Sequence, residues 1–155
     1  MKPYYEHGGI TIYHCDCRDY LPTCAKGSFD LCLTDPPYGI GISNKNLGSV
    51  PNSRKIFGDW DEQRVSAFAI GSILRVAKHS VISGGNYYAD LLPPTQGWLV
   101  WDKRGDDLAR KSYADCEIAW TSLDRAARMY KCRWDGFIKD SDEPRNDHPT
   151  PKPLV

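Results

Sequence analysis

The tetrapeptide Asp35-Pro36-Pro37-Tyr38 stands directly after a six-residue, nearly continuous apolar run, Phe29 to Thr34 (FDLCLT). Its residue types suit work on a poorly nucleophilic amine. The exocyclic amino group of adenine is weak because its lone pair is delocalised into the ring. A catalyst must accept hydrogen bonds from both N–H groups and hold the nitrogen toward tetrahedral geometry, and one carboxylate with one backbone carbonyl suffices. Asp35 can supply the carboxylate. Pro36 can present its carbonyl from a ring-fixed backbone, stiffened further by Pro37. Tyr38 offers a flat face on which a base can stack, an interaction worth roughly 1–3 kcal/mol per base. The same face suits a neighbouring sulfonium cation. A base inside a duplex must first be flipped out, so a stacking platform is a physical requirement. By itself the tetrapeptide also fits a rigid turn in which two prolines fix φ and Tyr38 simply packs.

The elements that must position these residues follow from periodicity and punctuation. Ile10 to His14 is a short β-rich run, and Phe29 to Thr34 reads as a strand covered on both faces, as in a parallel sheet. Asp35 then falls at the C-terminal end of a strand, where ligands bind in open α/β sheets. Between Asp61 and Lys78, Val65, Phe68, Ala69, Ile73, Val76 and Ala77 recur at helical spacing, with Asp61 and Glu62 near the start where the helix dipole favours anions. Ser80 to Ser83 reads as a strand ended by Gly84-Gly85, and Asn86 to Leu92 as a short helix stopped by Pro93-Pro94. Trp98 to Trp101, Cys116 to Trp120 and, more weakly, Met129 to Cys132 are further strands. This alternation predicts a doubly wound α/β sheet. Residues 39–58 and 140–155 have loop composition, the second rich in charge and proline.

Composition limits the alternatives. The chain has 155 residues, enough for one domain with a real core and too few for two. Lys+Arg and Asp+Glu are both 20, so no global field announces a nucleic-acid partner, and any such contact must be local. The six cysteines include no CxxC pair, the four histidines are scattered, and no apolar run nears the ~18 residues that span a membrane. No metal site is expected. With nothing like a signal peptide at the N-terminus, the expectation is a soluble, cytoplasmic protein with reduced thiols.

The segment resembles the Asp-Pro-Pro-Tyr motif of DNA N6-adenine and N4-cytosine methyltransferases, in the permuted, beta-type order that places the catalytic motif first. Asp16-Cys17-Arg18-Asp19-Tyr20-Leu21, ahead of Phe29 to Tyr38, is similar to the way such proteins begin. His148-Pro149-Thr150-Pro151-Lys152-Pro153 is similar to their His-Pro-Thr-x-Lys-Pro element. The resemblance implies a Rossmann-like sheet with helices on both faces, S-adenosylmethionine as cofactor, and double-stranded DNA with a flipped base as substrate. It implies a catalytic role for Asp35, Pro36, Pro37 and Tyr38. Asp16, whose residue type also fits a helix N-cap, is implied to lie with Cys17 near the adenosine of the cofactor, which Asp35 adjoins. His148, Thr150 and Lys152 are donors in a proline-stiffened loop, suited to the cofactor carboxylate or to phosphate.

The sequence departs from that pattern in one respect. The Asp-Pro-Phe-x-Gly-x-Gly loop expected soon after the proline-rich element does not occur before Val155. We therefore expect residues 1–155 to form the catalytic part of the domain, with an incomplete sheet, and to bind cofactor poorly alone. A homodimer or a complementing C-terminal segment would complete it. Lys45, Arg54 and Lys55, in a flexible loop after the catalytic motif, are placed to close over a flipped base. Residues 102–135 are the candidate target-recognition region. From Lys103 to Arg133 eight Lys/Arg stand against five Asp/Glu, a weak signal that makes Lys103 and Arg104 candidate phosphate contacts, although a solvated mixed surface fits better. Cytosine C5 chemistry is disfavoured, because it needs an activated thiolate, usually after proline, and no Pro-Cys occurs. The expected activity is adenine N6 methylation of DNA, as in restriction-modification systems. The alternatives are cytosine N4 methylation and a non-catalytic DNA-binding or subunit fragment of such an enzyme.

Overall fold

The computed structural model describes residues 1–41, 59–105 and 114–134. Two short strands, β1 (Tyr5–His7) and β2 (Ile10–Ile12), pair antiparallel across Gly8-Gly9 as a hairpin of their own. The short β-rich run from Ile10 to His14 thus forms a separate ribbon over Ile10–Ile12, because its hydrogen bonds go to Tyr5–His7. Helix α1 (Cys17–Tyr20) follows, continued by a 3-10 turn over Leu21–Thr23.

The chain then enters β3 (Phe29–Thr34), with the bounds expected from the sequence. Helix α2 spans Ala67–Val76 and runs directly into β4 (Ala77–Ser83). After a 3-10 helix over Gly85–Tyr88 come β5 (Trp98–Asp102), β6 (Cys116–Thr121) and β7 (Arg128–Lys131). Five strands form one sheet in the order β3-β4-β6-β5-β7. It is mixed: β3/β4 and β5/β7 are parallel, whereas β4/β6 and β5/β6 are antiparallel. The fold is thus α/β with a mixed five-stranded sheet.

Helix α2 is shorter than its apolar periodicity suggests. Ser66 caps it, its hydroxyl accepting from the amide of Ala69 at 3.3 Å, and Ala77 already has extended backbone. Asp61 and Glu62 thus precede the helix instead of lining its first turn. Ala69, Ile70, Ile73 and Val76 form the buried stripe, whereas Phe68 is 59% exposed, so its place on the apolar face is corrected. The Asn86 to Leu92 helix is likewise corrected to a single 3-10 turn ending at Tyr88.

The core joins Ile70 and Ile73 of α2 to Ile82, Tyr88, Leu92 and Trp120, with Cys32, Tyr38 and Trp98 packed against it. Each fully buried large side chain stabilises by roughly 1.5–3 kcal/mol. Because neighbours on a strand point to opposite faces, Cys32 meets this core while Phe29, Leu31 and Leu33 turn away. They are 39%, 54% and 72% exposed. The expectation that this strand is covered on both faces fails among the described residues: β3 is an edge strand and α2 lies on its other side. Helices on both faces are likewise not seen among the described residues. No helix among them is long and apolar enough to cross a membrane.

Candidate functional site

Asp35 follows the last residue of β3 and is exposed. The next two residues are prolines, without amide protons, so the first N–H groups after Asp35 belong to Tyr38 and Gly39. Both donate to Asp61 Oδ1, at 2.8 and 2.9 Å. Carbonyls are braced as well. The Pro37 carbonyl accepts from the amide of Val65 at 3.2 Å and from the hydroxyl of Tyr88. The same hydroxyl lies 3.2 Å from the Pro36 carbonyl, but its single proton goes to the closer partner, Pro37.

Tyr38 is half-buried. Its ring stacks on Tyr87, with centroids 4.7 Å apart and planes 15° from parallel. Its hydroxyl donates to Asp35 Oδ1. Burial first, then the bond to Asp35, pushes the Tyr38 phenol far above its ordinary range, which keeps it a donor. Arg64 holds the other half of the stack in place: it makes two 2.6 Å bonds to the carboxylate of Asp90 and a 2.9 Å bond to the carbonyl of Tyr87.

Two glycines permit this closeness. A Cβ on Gly84, whose φ is +65°, would lie 2.2 Å from Tyr38 Cε1. A Cβ on Gly39, at φ +73°, would lie 2.5 Å from the amide nitrogen of Arg64. Both positions need left-handed backbone and no side chain.

The other residues singled out from the sequence are placed as follows. Asp16 is the N-cap of α1, its carboxylate accepting from the Arg18 amide at 2.8 Å and pairing with the Arg18 guanidinium at 2.5 Å. That hydrogen bond to Arg18 lowers the Asp16 carboxyl to about 2. Cys17, beside it, is exposed. Lys103 pairs with Glu117 at 3.1 Å, and Arg104 pairs with Asp102 at 3.3 Å and Asp115 at 3.5 Å. These two cations are thus partnered at the β5/β6 end of the sheet, and Asp102 is held below the usual carboxylate range by Arg104. Lys45, Arg54, Lys55, His148, Thr150 and Lys152 lie outside the described residues. Among the described residues no cluster of His, Cys, Asp and Glu could hold a metal.

Sequence reasoning missed Asp61, Arg64, Tyr87 and Tyr88. The only signal for them is an aspartate and a pair of tyrosines beside turn residues, which fits many surface segments.

Comparison with known proteins sharpens the reading. Over 111 residues the chain is 31% identical to the Type II methyltransferase M.ScaI of Streptomyces caespitosus. Its likeness is to type II methyltransferases. A second such methyltransferase, M2.DpnII of Streptococcus pneumoniae, is 37% identical over 70 residues. The matched stretches are 66% and 43% of this chain, and only 32% and 24% of the two methyltransferases. No family model matches the chain.

Proposed function

We propose that this chain carries the catalytic part of an S-adenosylmethionine-dependent DNA methyltransferase of the permuted, beta-type order, acting on adenine N6. The observation that carries this reading is the exposed carboxylate of Asp35 at the C-terminal end of β3, on a loop whose Tyr38 and Gly39 amides are turned inward to Asp61. The similarity to two type II methyltransferases supports it.

The chain's own groups have distinct parts. Asp35 accepts one hydrogen bond from the target amine. Because the Tyr88 proton is spent on Pro37, the lone pairs of the Pro36 carbonyl can take the second. Tyr38 donates to Asp35 Oδ1 and stacks on Tyr87, and a carboxylate has further lone pairs with which to accept the hydrogen bond of the target amine. The Tyr38 ring is proposed as the stacking surface for the flipped base.

The described donor set fits part of the cofactor. Asp16 and Asp35 are exposed carboxylates, suited to ribose hydroxyls and to a sulfonium; Asp16 must first loosen from Arg18. When bound, the cofactor supplies an electrophilic methyl group. Cys17 lies beside Asp16, and His148, Thr150 and Lys152 are proposed for the cofactor's carboxylate end. Lys45, Arg54 and Lys55, with Lys103 and Arg104, are proposed for DNA phosphates. The exposed apolar face of β3 fits a Rossmann-like sheet covered by further polypeptide, in a complementing segment or a second copy; a cytoplasmic location is proposed with it.

The test is transfer of radiolabelled methyl from S-adenosylmethionine to unmethylated DNA, by this chain alone and by one extended with the remainder of a relative's domain. Label on adenine N6 that vanishes with Asp35→Ala establishes the reading. Label on cytosine N4 moves the substrate to the other amine. Label that persists in Asp35→Ala, or none from either protein, refutes the catalytic assignment.

A further inference from the structure

We propose that Asp61 is the positioning residue of the Asp35–Tyr38 loop, acting on the reacting groups through the loop's backbone. The activity arm of this proposal rests on the methyl-transfer reading above.

Asp61 is 1% exposed and lies in the turn before α2, well removed in sequence from the motif it serves. Burying a carboxylate is costly unless donors surround it. Here one of its oxygens receives the first two N–H groups after the two prolines, those of Tyr38 and Gly39. Two successive amides aimed at one oxygen fix the backbone on either side of Tyr38. They thereby set the direction of the Tyr38 side chain and the plane of the Pro37 carbonyl.

The surrounding segment reinforces this. The Gly41 amide donates to the Asp61 carbonyl at 2.9 Å, Tyr38 bridges to Arg64, and the Val65 amide reaches the Pro37 carbonyl at 3.2 Å. Residues 61–65 are therefore laid along 37–41 as a brace, and the bare Cα of Gly39 lets the two backbones meet. Asp61 Oδ1 accepts from the amides of Tyr38 and Gly39, beside the residues that would meet a substrate. Its effect is on where Tyr38 and the loop carbonyls sit, which is where small displacements are expensive: a misplacement near 1 Å lowers turnover on the order of a hundredfold.

The experiment combines amide hydrogen exchange by NMR with methyl-transfer kinetics for the wild type, Asp61→Ala and Asp61→Asn. In the wild type the Tyr38 and Gly39 amides should be protected. Asp61→Ala should speed their exchange by at least about tenfold while Ile70, whose amide bonds to Ser66 inside α2, keeps its protection. Asp61→Asn retains an oxygen in the same place and should restore most of the protection. Rapid exchange of both amides in the wild type overturns the proposal without any variant, as does unchanged protection in Asp61→Ala. On DNA, Asp61→Ala should lower kcat with KM little changed, and Asp61→Asn should recover much of kcat. A raised KM with unchanged kcat overturns the positioning role. Should neither the wild type nor any variant transfer methyl, in this chain or in the extended protein, the functional reading fails, and the exchange data still decide the positioning.

Discussion

The hydroxyl of Tyr88, on a ring with 0% exposure, donates to the carbonyl of Pro37, a residue 51 positions earlier. This bond ties the 3-10 helix after β4 to the loop after β3, so the site is braced from below by the core itself. Tyr88→Phe keeps the ring packing and removes the donor. We expect a loss of about 1–2 kcal/mol, seen as a drop of several degrees in Tm, and reduced methyl transfer. Burial pushes the Tyr88 phenol up to about 12. Because the folded value lies above the ordinary one of 10.0, its contribution to stability is whole below that value and lost as pH rises through about 12. Ultraviolet titration of tyrosinate should show one late-ionising tyrosine fewer in the variant.

Gly84→Ala should be more disruptive than its size suggests. The added methyl would sit 2.2 Å from Tyr38 at a left-handed φ. The backbone alone costs about 1–2 kcal/mol, and the Tyr38 ring must leave its stack on Tyr87. Denaturant unfolding would measure the first effect, and NMR contacts between the two rings the second. An intact stack in a stable Gly84→Ala protein contradicts the geometry.

The Asp16 cap should be sensitive to acid. Its carboxyl is lowered to about 2 by Arg18, so the cap is intact above the ordinary carboxylate range and weakens only as pH falls toward 2. Arg18→Ala removes the side-chain partner, and the Asp16 titration followed by carboxyl NMR should move up toward its ordinary value of 3.8.

Leu33 and Ile82 test which face of the sheet is closed. Leu33 is 72% exposed and Ile82 0%. Leu33→Ser should change the unfolding free energy by no more than about 0.5 kcal/mol, whereas Ile82→Ala should lose roughly 2–5 kcal/mol. Chemical denaturation of the isolated chain measures both. A large loss from Leu33→Ser would mean that the face is already covered in solution.

Much of the fold was legible in the residues because the signals were local. The apolar run Phe29–Thr34 and the prolines that stop it set both β3 and the position of Asp35 at its end. Asp16 announced a helix start, and Trp98 and Cys116 opened strands found within a residue of their expected bounds. What escaped was decided by contacts between distant segments. Asp61 looked like a helix-start carboxylate, yet it folds under a loop and takes the first two amides after its prolines, 22 and 23 positions away. Tyr38 looked like an open platform, yet Tyr87 and the bare Gly84 let it pack. Lys103 and Arg104 were candidate phosphate contacts, yet the antiparallel β5/β6 pairing sets Glu117 and Asp115 beside them. Periodicity and punctuation act over a few neighbouring residues, so the sequence by itself determined which segments became strands and where the Asp-Pro-Pro-Tyr loop begins. Strand order and the partners of buried polar groups depend on surfaces that meet only after the chain has folded, so the tertiary structure alone decided how that loop is held and that β3 lies at an edge among the described strands.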